Sequence, residues 1–162
     1  MPKKTSPVNQ IYMERAIELA KQAAALGEVP VGAVIVYDLD SRIISEAHNL
    51  RETNQDPLGH AETIAISRAS KELRRWRLTG CTIYVTLEPC LMCSGAVVLS
   101  RLDRVVYGAR DPKAGAVESL YTTLADIRLN HRPEVVPGLC EEQCSSLLKD
   151  FFRVRRGPQP GS

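Results

Sequence analysis

The sequence predicts an α/β fold built on a layered sheet. Three observations predict it. Strand patterns alternate with helical spacing along the 162 residues, and such interleaving belongs to layered sheets. The run at 31–37 is nearly all apolar and rich in β-branched residues, as in a strand buried on both faces. The length suits one domain with a sizeable core, and no repeat or linker interrupts it.

Taken in order, Met13, Ile17, Ala20 and Ala24 recur at helical spacing, and Gly27 stops this first helix. The strand at 31–37 follows, then a turn at 38–41 and a second strand over 42–47. Residues 49–59 are polar and loop-like. A second helix is expected over 60–76, opened by Gly59-His60 and carried by Ile64, Ala65 and Ile66. A third strand at 81–87 feeds a helix that runs to about 100. Pro89 suits its first position, where the missing N–H would be unpaired anyway. A fourth strand covers 104–107, and a Gly- and Ala-rich loop containing Asp111-Pro112 covers 108–118. A weak helix near 120–126, a short fifth strand at 134–136 and a helix over 140–155 complete the pattern. Cys144 heads an apolar stripe with Leu147, Leu148, Phe151 and Phe152, so it reads as core, as does Cys81 at the start of the third strand. The domain is expected over 1–156, with 157–162 a disordered tail.

A formal net charge of +2 announces no large nucleic-acid surface. Two local clusters are basic. Arg74, Arg75 and Arg77 flank Trp76, and Arg153, Arg155 and Arg156 crowd the end. Each reads as solvated surface or as a local patch, and the first also as a helix end, where cations are favoured. No apolar run is long enough to span a membrane, and residues 2–10 lack the apolar stretch of a signal peptide. Five cysteines is an odd count, which argues for a reducing, intracellular setting.

The chemistry lies in two short motifs. His60-Ala61-Glu62 supplies an imidazole and a carboxylate, and Pro89-Cys90-Leu91-Met92-Cys93 supplies two thiols. A structural zinc site takes four protein ligands, whereas one His and two Cys leave a position for water. Cys90 and Cys93 at a helix N-terminus would be favoured as thiolates, the form zinc needs. Their bland reading is a redox pair or two buried free thiols. Glu62 reads either as an exposed first-turn acid that suits the helix dipole or as a proton shuttle beside a metal-bound water. His60 and Glu62 are two apart and face different ways on a helix, so they serve one centre only if the metal lies over the helix end. The rival is a closed structural site with a fourth ligand from Cys81, Cys140, Cys144, His48 or His131, none of which sits in a second C-x-x-C. H-x-E followed by P-C-x-x-C is the known signature of zinc deaminases that act on nucleobases.

Further stretches narrow the match. They are Gly27-Glu28-Val29-Pro30-Val31-Gly32-Ala33, Gly59-His60-Ala61-Glu62, Thr86-Leu87-Glu88-Pro89-Cys90, the run from Arg104 to Asp111, and Asp150-Phe151-Phe152-Arg153. On these the chain resembles the bacterial tRNA-specific adenosine deaminases, within the cytidine-deaminase-like superfamily, from Met13 to Arg156. The metal motif alone marks the superfamily; the Arg110-Asp111 loop and the Phe-Phe-Arg ending mark the tRNA enzymes. The resemblance implies a three-layer α/β/α fold around a mixed five-stranded sheet, a homodimer, a cytoplasmic setting, and conversion of adenosine to inosine at the wobble position of a tRNA anticodon. It implies zinc held by His60, Cys90 and Cys93, with Glu62 as the shuttle. Asn49 would contact the nucleoside, and Val31 and Pro89 would wall the base. Asp111 and Lys113 would meet flanking nucleotides, and Phe152 and Arg153 the anticodon stem-loop. The 49–59 loop and the C-terminal tail depart most from the family pattern. Two other classes share parts of this pattern: a deaminase of free guanine- or cytosine-type compounds, and a non-catalytic RNA-binding protein stabilised by zinc.

Overall fold

The computed structural model describes residues 6–156; the expected tail at 157–162 lies outside them. Helix α1 (Gln10–Ala25) is capped by Asn9, whose side chain accepts from the Ile11 N–H. Past its last turn, Gly27 adopts φ +82°, the left-handed conformation that glycine enters without penalty. Strands β1 (Gly32–Tyr37) and β2 (Arg42–His48) form an antiparallel hairpin with a register shift between Ile35 and Val36. Helix α2 (Ala61–Leu73), strand β3 (Cys81–Leu87), helix α3 (Leu91–Ser100) and strand β4 (Arg104–Ala109) follow. Strand β5 (Glu134–Val136) and helix α4 (Glu141–Arg156) close the described chain.

The sheet order is β2-β1-β3-β4-β5. The β1–β2 and β1–β3 pairs are antiparallel, and the β3–β4 and β4–β5 pairs are parallel. The sheet is therefore mixed and five-stranded, with helices on both faces. Alternation along the strands sends Ala33, Ile35, Ile83 and Val85 to a core shared with Ala61, Ala65 and Ala69 of α2 and Val97 and Val98 of α3. Val34, Val36 and Tyr84 point the other way, toward Met13, Ala16 and Ile17 of α1 and Cys144 of α4. Cys81 and Cys144 are both core, as expected.

Three expected elements differ. Helix α2 stops at Leu73, because Arg74 takes a left-handed conformation (φ 53°) and its N–H turns back to the Lys71 and Ser70 carbonyls. Trp76 lies beyond the helix, 59 % exposed, with the Arg77 guanidinium over its ring. The helix expected near 120–126 is one 3-10 turn, Thr123–Ala125. Pro89 is not helical. Cys90 is the cap of α3 in extended conformation, and the Pro89 carbonyl accepts the Ala116 N–H at 2.9 Å.

Candidate active site

The candidate metal ligands sit where two helices begin. His60 is the cap residue of α2 and Cys90 that of α3, both extended and neither making a side-chain capping bond. Cys93 follows in the first turn of α3. Helix packing brings these ends together, with His60 Nδ1 3.6 Å from Cys90 Sγ and 3.5 Å from Cys93 Sγ. The donor set fits zinc. A tetrahedral ion with Zn–S near 2.3 Å and Zn–N near 2.0–2.1 Å separates nitrogen from sulfur by roughly 3.5 Å. Among the described residues, His60, Cys90 and Cys93 form the metal-ligating cluster, and Cys81, Cys140, Cys144, His48 and His131 lie outside it. His131 instead faces the Leu102 carbonyl at 2.7 Å, and His48 that of Asn49.

The cysteines share one proton unevenly. The Cys93 thiol donates toward Cys90, so the Cys90 thiol is pulled down to about 4 and Cys93 is held up. His60 beside them is raised, chiefly by its bond to Cys90. Cys90 stands at the positive end of a helix, which favours the thiolate that zinc requires.

Glu62 is not an exposed first-turn acid. It is 4 % exposed, and burial pushes its carboxyl upward while the carboxyl lies within hydrogen-bond reach of Cys93. It opens onto a cavity of about 200 Å³, smaller than the roughly 300–1,000 Å³ pockets that bury drug-sized ligands. Val31, Asn49, Arg51, His60, Cys90 and Asp111 are among its lining residues. Asn49 is 7 % exposed. Its amide donates to the Val29 carbonyl at 3.3 Å and its oxygen accepts the Arg51 N–H at 3.1 Å, which fixes its orientation. Pro89 and Lys113 are not among the lining residues. Phe152, 40 % exposed, meets Phe151 edge-on, and Arg153 pairs with Asp150 at 2.9 Å on the surface of α4.

Two buried carboxylates, Glu88 in the cavity lining and Glu28 beneath the 49–59 loop, escaped the sequence reading of the site. Glu28 accepts the Glu52 and Thr53 N–H groups at 3.0 and 2.7 Å, which holds the 49–59 loop. Burial pushes its carboxyl up, but these bonds outweigh it and the net direction is down. Glu88 accepts from Asp111, Val117, Glu118 and Ser119 of the 111–119 loop, and its carboxyl is likewise lowered against the opposing push of burial. The signal was present in part. Both stand inside the motif stretches.

A His, two Cys and a buried Glu converging at two helix ends on a mixed sheet mark a zinc deaminase of the nucleobase type. The MafB19-like deaminase family profile matches residues 8–156. The chain belongs to the tRNA-specific adenosine deaminase family. It is 53 % identical over 148 residues to the Bacillus subtilis (strain 168) protein of that name, covering 91 % of each chain. It is 46 % identical to the Haemophilus influenzae one, covering 93 % of this chain and 87 % of that one. A structure from work on A-to-I editing by tRNA:A34 deaminases at the wobble position of transfer RNA matches with TM-score 0.83 at 40 % identity, over 86 % of this chain and 100 % of that chain. A guanine deaminase from Nitrosomonas europaea shares the fold, with TM-score 0.74 at 22 % identity over 92 % of this chain and 87 % of its own.

Proposed function

We propose that the protein converts adenosine to inosine at the wobble position of a tRNA anticodon, as a single deaminase domain over 1–156. The observation that carries the reading is the buried Glu62 carboxyl, set beside the His60, Cys90 and Cys93 cluster at the floor of a narrow cavity. His60, Cys90 and Cys93 would hold zinc, which when bound would supply a water that ionises at about neutral pH. Glu62 would take a proton from the attacking water and deliver it to ring nitrogen 1 of adenine as the water oxygen adds to carbon 6. It then carries the second water proton to the exocyclic nitrogen. The carbon–nitrogen bond breaks, ammonia leaves and the inosine carbonyl remains. A carboxyl whose proton affinity is raised by burial suits a group that must both take and return a proton.

Asn49 orients the nucleoside and Val31 walls the base, both lining the cavity, whereas Pro89 stands outside that lining. Asp111 and Lys113 meet the flanking nucleotides, and Phe152 and Arg153 the anticodon stem-loop. A base deep in such a cavity must leave its stack, and a loop already presents splayed bases. This supports a loop RNA as substrate for a protein with only local basic patches. The names of the relatives support tRNA in particular. A homodimer is the proposed assembly. Leu91, Leu120 and Tyr121, 53 to 55 % exposed, line one surface groove, and grouped apolar surface of this kind marks interaction sites. The proposed setting is the cytoplasm; no helix among the described residues is long and apolar enough to cross a membrane.

The test is incubation of the zinc-loaded protein with total tRNA, followed by sequencing for adenosine-to-inosine changes. Inosine confined to anticodon loops is expected. Unchanged tRNA, together with turnover of a free base or nucleoside, would replace this reading with a small-molecule deaminase. Tight tRNA binding with neither activity would leave an RNA-binding protein.

A further inference from the structure

We propose that Glu88 is a positioning residue, which holds the 111–119 loop as one wall of the cavity and sets substrate affinity through Asp111. The substrate in this inference rests on the reading above. The Glu88 side chain is 2 % exposed and lies outside the metal cluster. Its first oxygen accepts the Asp111 N–H at 3.1 Å and the Ser119 hydroxyl. Its second accepts the Val117, Glu118 and Ser119 N–H groups at 3.1, 2.9 and 2.9 Å. All five donors belong to one loop, 23 to 31 residues further along the chain. A Cβ on Gly115 would fall 2.4 Å from the Glu88 carboxyl carbon, so the loop backbone closes directly over the carboxylate.

The bonds continue to the cavity. The Asp111 carboxylate accepts the Lys113 and Ala114 N–H groups at 3.1 and 3.2 Å, and Asp111 and Ala114 both line the cavity. On the other side the loop is tied to the ligand segment, through a Cys90–Gly115 bridge and the Ala116 N–H on the Pro89 carbonyl. Glu88 thus stands at the junction of two pieces, the turn that carries Cys90 and the turn that presents Asp111. A buried carboxylate is tolerated only when its lone pairs are filled. Here one loop fills them, so the acid and the loop shape depend on each other.

The Gln variant probes this with direction. In Glu88→Gln the amide oxygen can keep the Val117, Glu118 and Ser119 N–H groups. The amide NH2 then faces Ser119 Oγ, which can turn to accept, and the Asp111 N–H, which cannot. The variant therefore frees the Asp111 end and spares the rest.

The experiment compares zinc-loaded parent, Glu88→Gln, Asp111→Ala and the double variant. Kinetics are measured on an anticodon stem-loop and amide hydrogen exchange on the free proteins. We expect Glu88→Gln to keep one zinc per chain, to speed exchange at Asp111 with α2 and α3 unchanged, and to raise KM about tenfold while kcat moves less than about threefold. In the Asp111→Ala background the same change should cost less than about threefold, because residues that act through one another are not additive. Ser119→Ala, which removes one donor and keeps the carboxylate, serves if Glu88→Gln does not fold; it should show the same pattern in weaker form. Equal cost in both backgrounds, a loss confined to kcat, or unchanged exchange at Asp111 would overturn the proposal. A parent inactive on the stem-loop would sink the tRNA reading, while exchange would still decide whether Glu88 holds the loop.

Discussion

Glu62 carries the sharpest consequence of burial at a single residue. A solvated acid in a first helical turn would lose little on becoming an amide, whereas a buried carboxyl within hydrogen-bond reach of Cys93 would lose the proposed proton carrier. Glu62→Gln should lower kcat on an anticodon stem-loop by on the order of a hundredfold or more and keep its zinc, checked by metal analysis of the same preparation. A near-parental rate would return Glu62 to the role of a helix-end acid. Glu28 gives a prediction in pH. Its folded-state carboxyl lies below the ordinary value, so the stability it adds is present above the unfolded-state pKa and lost as pH falls through the folded one. Parent and Glu28→Gln should therefore differ in Tm at neutral pH and converge on acidification below the usual carboxylate range. Parallel curves by calorimetry would remove the loop-holding role. These residues also show what was legible. His60, Glu62, Cys90 and Cys93 lie in two short motifs, so their spacing alone suggested a centre. Glu28 and Glu88 read as ordinary acids, because the N–H groups that fill their lone pairs come from loops 23 to 31 residues away.

At the scale of elements, periodicity located the five strands and four α-helices of the described residues, and it failed at ends that only local backbone conformation decides. Arg74 stops α2 without a glycine, so nothing in the composition of 74–76 announced it. Pro89 suited a first helical position but serves as the residue before the cap, because Cys90 must stay extended to bridge Gly115. One glycine is tied to element packing. A Cβ on Gly32 would lie 2.0 Å from the Ala16 carbonyl oxygen and 2.8 Å from the Ala20 nitrogen, both backbone atoms of α1. No rotamer relieves that contact, so α1 must lift from the sheet. Gly32→Ala should cost about 1–3 kcal/mol, read as a lower denaturation midpoint at unchanged m-value. An unaltered midpoint would mean that α1 slides along the sheet without loss.

Across the whole molecule, the two cores are built from sheet and helix residues and include none of the three metal-site residues. The apolar faces of α1, α2 and α3 are filled by sheet residues, and the ligands stand at the helix ends. A small zinc finger folds only with its metal; this fold has its burial complete already. Chelation should abolish activity and lower Tm by the lost binding linkage, with far-ultraviolet circular dichroism unchanged. Collapse of the dichroism signal on chelation would show that zinc holds the fold itself.

The uncapped starts of α2 and α3 set stability against function. A good cap residue holds a helix's first free N–H groups and contributes typically about 1 kcal/mol, yet His60 and Cys90 make no capping bond. Asp or Ser at either position would satisfy those groups and remove a ligand in the same step. Selection for heat resistance alone, blind to turnover, would thus drift toward inert, sturdier proteins, with the first losses at positions 60 and 90. Only continued demand for the product keeps two helices beginning on the residues that serve them least.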